Sequence, residues 1–368
     1  MARRVYLHIG LPKTGTTFLQ TTMWHNRAAL SEQGFLYPGR DRMEHYRASQ
    51  EVREARAARL GRHVGVWDRL CRKLGNWPGD GLVSHEFFSM ATPEQAEAAV
   101  AALAPAEVRV VVTVRSYVLQ FPAVWQEALK MNSTLSFDQF MDAALAGSLK
   151  GAWSWDSQDV PAVLDRWTRA VSPEQLTVVT VPPPGAPRDL LWKRWVEAVG
   201  IDDSDFDFDV AYANESIGAA QAALLHRVKP LLSGPLTAGN VRHRWVRQYF
   251  GHEVLVPQRG ARFAPRPEHA ARLQERAAEA VDRIRTGGFP VIGDLADLTA
   301  SSSAATDAYP DDVSDAEIVE VAARAIEQMI RDVKALTEER DAALREAKHR
   351  PKDLADRVVR RLGRRSRD

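Results

Sequence analysis

A lysine and three threonines lie between and just after two glycines in Val5–Gln20, VYLHIGLPKTGTTFLQ. Gly10 and Gly15 permit backbone angles that a Cβ would forbid, and Pro12 stiffens the turn between them. Lys13 stands at the crown, and Thr14, Thr16 and Thr17 follow it. The apolar run Val5–Ile9 reads as a buried strand, and Phe18, Leu19 and Met23 recur at helical spacing, so the predicted order is strand, loop, helix. A turn of that kind aims several backbone N–H groups and the positive end of a helix dipole at one point. The chemistry it suits is the holding of a phosphate-like anion.

The spacing of Gly10, Gly15 and Thr17 matches the Walker A pattern, but Thr16 occupies the place of the Walker lysine. Lys13, three residues earlier, would approach the far side of a bound phosphate and neutralise a bridging oxygen rather than clasp a terminal one. That departure argues against an ordinary ATPase. Further along, Ser84, His85 and Glu86 follow the apolar Leu82 and Val83, which read as the end of a strand. In open parallel sheets ligands sit outside such carboxyl edges, and either His85 or Glu86 could take a proton there. Arg115 closes the most β-branched run of the chain, Val108–Val114, with a guanidinium fork suited to phosphate. No Walker B aspartate ends that strand, so nothing in it would hold magnesium.

PKTGTT resembles the 5′-phosphosulfate-binding loop of sulfotransferases that use PAPS, 3′-phosphoadenylyl sulfate. The resemblance implies that Lys13 contacts the 5′-phosphate and the bridging oxygen of the leaving group. It also implies that the backbone of Thr14, Gly15, Thr16 and Thr17, with the Thr16 and Thr17 hydroxyls, holds the 5′-phosphate. Related enzymes place a histidine or glutamate base after the strand that follows the loop's helix region. Many bacterial members read similar to S-x-E, which puts Glu86 first and His85 second. Arg115 resembles the first residue of the family's 3′-phosphate motif, whose serine falls eight residues later. Here that position is Ala123, preceded by Pro122, so the second 3′-phosphate ligand must come from elsewhere or be missing; Ser116 and Gln120 are candidates. The basic stretch Gln258–Arg262, QRGAR, loosely resembles the family's last cofactor element. The implied reaction is sulfuryl transfer from PAPS, without a metal, to a hydroxyl or amine of a carbohydrate, lipid or small-metabolite acceptor. The rivals are a P-loop kinase acting on a small molecule and a non-catalytic nucleotide-binding module, which Ala123 keeps open.

The elements that must position these residues alternate. Strands are expected at Val5–Ile9, Leu82–Val83, Val108–Val114 and Gln175–Val181, with helices after Thr16, from Pro122 to Met131, from Ser136 to Leu145 and from Leu190 to Val199, stopped by Gly200. A helix over Ala219–Leu232 is expected to be capped by Ser216. This alternation predicts an α/β fold, a P-loop NTPase-like doubly wound parallel sheet flanked by helices, with a C-terminal helical tail. Trp125, Gln126 and Glu127 could face an acceptor or simply pack. Trp153–Asp156 is an aromatic loop that hints at carbohydrate, and His45 and Arg47 are further cleft candidates.

A chain of 368 residues with 45% hydrophobic content can bury one large core. The net charge of +1 exerts no global pull on nucleic acid or membrane, so anion binding must be local. Cys71 is the only cysteine, which excludes a disulfide framework and a cysteine-rich zinc site and suits a reducing compartment. No apolar span is long enough for a transmembrane helix, and we expect a cytoplasmic protein. The expected division is a sulfotransferase-like domain over 1–300, a linker over 301–315, a polar helix over 316–348 and a basic tail over 349–368. Val319, Ala322, Ile326, Met329, Val333 and Leu336 form a thin stripe on the polar helix, fitting a homodimeric coiled coil or a lone helix docked on the domain.

Overall fold

The computed structural model describes residues 2–55, 58, 60–209, 216–300 and 308–364, with side chains as far as 347. Six strands make one parallel sheet: β1 (Arg4–His8), β2 (Phe35–Leu36), β3 (Asp80–Ser84), β4 (Glu107–Val114), β5 (Leu176–Thr180) and β6 (Val291–Ile292). Their order is β2-β3-β1-β4-β5-β6, and every pairing is parallel. Both faces are covered, which is why the central strands read as continuous apolar runs rather than alternating ones. Val5, Leu7, Val110, Val112, Leu176 and Val178 face one layer, and Tyr6, Val111 and Val179 the other.

The first layer includes the helices Val66–Gly75, Tyr117–Met131, Val160–Trp167 and Pro267–Thr286. The second is formed by Thr16–His25 and Leu190–Val199, which bury Leu19, Met23, Trp192, Trp195 and Val199. Trp125, Trp167, Trp192 and Trp195 are fully buried, and truncating such a side chain to alanine costs about 3–5 kcal/mol. The fold is thus the α/β, doubly wound parallel sheet that the alternation of elements implies.

Strand order also locates the working edge. The chain leaves β1 toward β2 on one side, whereas it leaves β4 toward β5 on the other. A crevice therefore opens at the carboxyl ends of β1 and β4, the position where ligands bind in sheets of this type. The glycine-flanked loop follows β1, and Arg115 follows β4.

Two local expectations need correction, and one further element is new. The helix expected to start at Pro122 runs Tyr117–Met131 with Pro122 inside it, because Tyr117, Phe121, Val124 and Trp125 are buried and their packing outweighs the missing N–H. The helix Ala219–Val228 is capped by Gly218, not Ser216; a Cβ on Gly218 would lie 2.4 Å from the Gly260 backbone, so the close crossing of two chain segments requires glycine. The basic stretch after Gly239 is helical, with a π-helical turn pattern over His243–Leu255.

The last helix, Asp315–Arg364, lays Ile318, Val321 and Ala325 into the main core. Val319, Ile326, Met329, Val333 and Leu336 stay exposed while Ala322 packs against the core, so most of the stripe read from the sequence lies off the contact face. Just before this helix, the Asp311 carboxylate accepts from the Phe137 and Asp138 amides at 3.1 and 2.9 Å, and Arg266 forks to Asp312 and Asp138. Among the described residues no helix is long and apolar enough to cross a membrane.

Candidate active site

The loop after β1 is shaped by three residues with positive φ: Gly10 at 91°, Lys13 at 65° and Gly15 at 85°. A Cβ on Gly10 would lie 2.6 Å from Glu86 Cα, and one on Gly15 would lie 2.5 Å from Leu191 Cδ2. Both glycines are fixed by conformation, and Gly10 by the Glu86 backbone as well. Lys13 has no such exemption, and its left-handed backbone is strain held by the surrounding contacts. Gln120 Nε2 donates to the Pro12 carbonyl at 2.7 Å, and Arg115 Nη1 donates to the Lys13 carbonyl at 3.3 Å. These bonds draw the crown's carbonyls toward the protein. The amides of Gly15, Thr16 and Thr17 open the following helix and have no acceptor among the described residues. Three donors beside a helix dipole are what an anion site requires.

Beneath the loop runs a buried polar chain that connects β3, β1 and β4. Ser84 Oγ lies 2.8 Å from His8 Nδ1, His8 Nε2 lies 3.2 Å from Thr113 Oγ1, and Thr113 Oγ1 lies 2.6 Å from Thr14 Oγ1. Thr14 Oγ1 donates to the Leu11 carbonyl at 2.5 Å. Because that last donation uses the Thr14 proton, Thr113 must donate to Thr14, His8 Nε2–H to Thr113, and Ser84 to His8 Nδ1. Burial holds the His8 imidazole neutral, its pKa pushed down to about 3. Thr14, fully buried, thus offers a ligand its backbone alone, while Thr17 is exposed.

Lys13 Nζ pairs with Glu127 Oε2 at 3.3 Å, and Arg247 Nε bonds the other carboxylate oxygen. Burial alone would raise the Glu127 pKa, but Lys13 and Arg247 outweigh it and hold the carboxyl down at about 2. Of Trp125, Gln126 and Glu127, only the last reaches the loop. The Trp125 indole donates to the Leu135 carbonyl, and Gln126 accepts from the Ile217 amide.

Glu86 is set against Gly10, and Gln20 Nε2 donates to its Oε2 at 3.1 Å. Burial would raise its pKa, yet His85, its own amide, Gln20 and the Thr16 hydroxyl together bring it below the ordinary carboxylate value. Glu86 is therefore ionised at neutral pH and attached to the first turn of the loop helix. His85 Nδ1 accepts from the Phe87 amide at 3.2 Å, which leaves the proton on Nε2, 3.9 Å from Glu86. Burial keeps this imidazole below its usual pKa.

Arg115 lies at the carboxyl end of β4, and its pKa is lowered first by burial and then by the nearby Arg262. Arg262 belongs to the QRGAR loop, which is drawn in where Ala219 N donates to the Ala261 carbonyl at 2.8 Å. Two like charges meet there with no carboxylate paired to either among the described residues. Ser116 Oγ donates to the Ala300 carbonyl, and the Gln120 amide is engaged with Pro12 and Gln158. Both side chains support the site's frame. His45 donates through Nε2 to the Pro38 carbonyl and accepts from the Ser84 amide, while Arg47 pairs with Asp41. Trp155 stacks on Phe121 at 5.3 Å as a packing plug, whereas Trp153 meets Phe87 at 6.1 Å.

Nothing in the sequence signals His8, Thr113 or Gln20, and Arg247 stands out there only as one member of a basic cluster with Arg242, His243 and Arg244. Among the described residues, no group of three or more His, Cys, Asp or Glu side chains is placed to hold a metal ion.

No family model matches the chain, and no curated protein matches it either. Among solved structures it is similar to a sulfotransferase from Alicyclobacillus acidocaldarius, at 14% identity and a TM-score of 0.45, over 78% of this chain and 96% of that one.

Proposed function

We propose that the protein transfers a sulfuryl group from PAPS to the hydroxyl or amine of an acceptor. The observation that carries this reading is the attachment of Glu86 to the anion loop. One carboxylate, ionised at neutral pH, is bonded to Thr16 and Gln20 on the same short helix whose first amides have no acceptor among the described residues and are open to an anion. A base and an anion cradle built as one unit suit in-line transfer, where an acceptor oxygen attacks sulfur beside the bound leaving group.

In this mechanism the amides of Gly15, Thr16 and Thr17 hold the 5′-phosphate, and Arg115 with Arg262 takes the 3′-phosphate. Glu86 accepts the acceptor's proton as its oxygen bonds sulfur. The bond from sulfur to the bridging oxygen breaks, and its electron pair leaves with PAP. Lys13 opposes the charge building on that oxygen, which requires its ammonium to swing from Glu127 toward the ligand. Arg247 then remains to hold Glu127.

The test is a pair of measurements on the full chain: thermal shifts with PAP and with ATP–Mg, and transfer of labelled sulfate from PAPS to a panel of hydroxylated acceptors. PAP should raise the unfolding temperature more than ATP–Mg does, since a ligand of the folded state stabilises it by mass action. A shift with ATP–Mg alone, accompanied by ATP turnover, would replace the proposal with a kinase.

A further inference from the structure

The wall beside Glu86 carries a cation that the donor chemistry leaves unused. Arg53 lies over the Phe87 ring with its guanidinium carbon 5.3 Å from the centroid. Its Nε donates to the Ser49 carbonyl at 3.4 Å, its Nη1 touches the Met90 sulfur at 2.7 Å, and its Nη2 has no partner among the described residues. No described carboxylate pairs with it, and burial presses its pKa down to about 10. A largely buried guanidinium without a counter-ion is an expensive arrangement unless something anionic completes it.

Its neighbours make a platform. Phe87 meets His85 at 5.2 Å and Trp153 at 6.1 Å, and Tyr46 meets His85 at 5.3 Å and Phe87 at 6.1 Å. Tyr46, Phe87 and Trp153 are all partly exposed, so their rings are not consumed by the core. The imidazole of His85 feels both Glu86 and Arg53, the first raising and the second lowering its affinity for a proton.

We infer that the acceptor is a ring compound that carries an anionic group, a carboxylate or a sulfate ester, bound by Arg53 while its ring lies on the Tyr46, Phe87 and Trp153 surface. The inference rests on the sulfotransferase reading and names the class of its second substrate. Aromatic faces favour flat or ring-shaped molecules, and the guanidinium fork pairs with a planar carboxylate or with sulfate oxygens. Arg53 is then a specificity residue and takes no part in the bond changes at sulfur.

The experiment uses PAP-loaded full-length protein and matched probes, 4-hydroxyphenylacetate against 4-hydroxyphenylacetamide and methyl glucuronide against methyl glucoside. Binding is read by calorimetry, and sulfate transfer is read with PAPS. At least one anionic probe should bind about 10-fold more tightly than its neutral partner, in keeping with one charged hydrogen-bonding contact. Arg53→Gln should erase that difference through KM with kcat and PAP affinity nearly unchanged, and Arg53→Lys, which keeps the charge, should restore part of it. Loss of fold in Arg53→Gln would show in circular dichroism, leaving Arg53→Lys and the wild-type pairs to decide. Equal binding of both members of each pair, with PAP still bound, would overturn the inference and spare the donor reading. Failure to bind PAP at all would overturn both.

Discussion

Lys13 Nζ lies 3.3 Å from Glu127 Oε2, and the same carboxylate holds Arg247. One buried anion thus restrains two cations at the crown of the anion loop. A lysine whose contribution is larger in the transition state than in the ground state separates rate from binding. Lys13→Ala should lower turnover by about 10²- to 10³-fold, as for other preorganised charges, while PAP binding falls only slightly. Lys13→Arg should not rescue it, because a planar fork cannot replace a compact ammonium in a strained loop. Near wild-type sulfate transfer by Lys13→Ala would remove the mechanism.

Glu127→Gln separates two roles of that carboxylate. Removing the charge frees Lys13 and takes a repelling group from beside the anion site, so PAP should bind more tightly, by roughly 3- to 10-fold. It also leaves Arg247 mostly buried without its partner, and the fold should lose about 3 kcal/mol. Denaturant unfolding and PAP titration on the same variant check both signs; weaker PAP binding would show that Glu127 supports the loop rather than restrains its lysine.

Arg115 and Arg262 should act as one phosphate receptor. Arg115→Ala is expected to weaken PAP about 10- to 100-fold, the loss of one or two charged hydrogen bonds, yet barely change adenosine 5′-phosphosulfate, which lacks the 3′-phosphate. Arg262→Ala, more exposed, should show the same preference with a smaller loss. Equal losses for both nucleotides would cancel the assignment.

Much of this frame was readable in the chain. The run Val108–Val114 could only be a strand buried on both faces, and Leu190–Val199 ends at Gly200 as its apolar spacing and left-handed stop require. The loop was legible because glycine, lysine and threonine constrain backbone and charge within a few residues. What was not legible joins distant segments. Arg247 reaches Glu127 from a helical stretch 120 positions away, and Arg262 comes to Arg115 through a loop pinned at Gly218 and Gly260. Neither contact leaves a periodic trace in its own segment. Pro122 misled for a related reason: its local signal favours a helix start, but burial of Tyr117 and Phe121 extends the helix past it.

Glu86 and His85 can be told apart by pH. The Glu86 carboxyl titrates below the ordinary carboxylate value, so kcat/KM should stay level from neutrality down to that range. A His85 base would impose a fall somewhere below the usual imidazole value, because burial lowers its pKa. Glu86→Gln should lower turnover by ~10²- to 10⁴-fold with PAP affinity nearly intact. Survival of turnover in Glu86→Gln and its collapse in His85→Asn would transfer the role to the histidine.

His8 and His45 make the stability of the site's floor depend on acid. Both are fully buried and neutral, with pKa values pushed down to about 3 and about 4 by burial, against 6.5 when exposed. In the unfolded chain each gains a proton as pH falls through 6.5, while the folded chain does not follow until far lower pH. The stabilisation is complete above the unfolded value and is lost progressively between 6.5 and the folded values. At pH 5 that amounts to about 2 kcal/mol for each histidine. His8 also carries the polar chain from Ser84 through Thr113 to Thr14, so its protonation breaks a bond directly beneath the anion loop. Denaturant unfolding between pH 7.5 and 5 should therefore show stability falling steeply below pH 6.5, and saturating PAP should raise the whole profile by favouring the folded state. His45→Gln, which keeps a donor toward the Pro38 carbonyl, should lower stability at pH 7.5 but flatten its pH dependence. A profile just as steep in that variant, or a wild-type profile level down to pH 5, would show that these imidazoles do not titrate on unfolding.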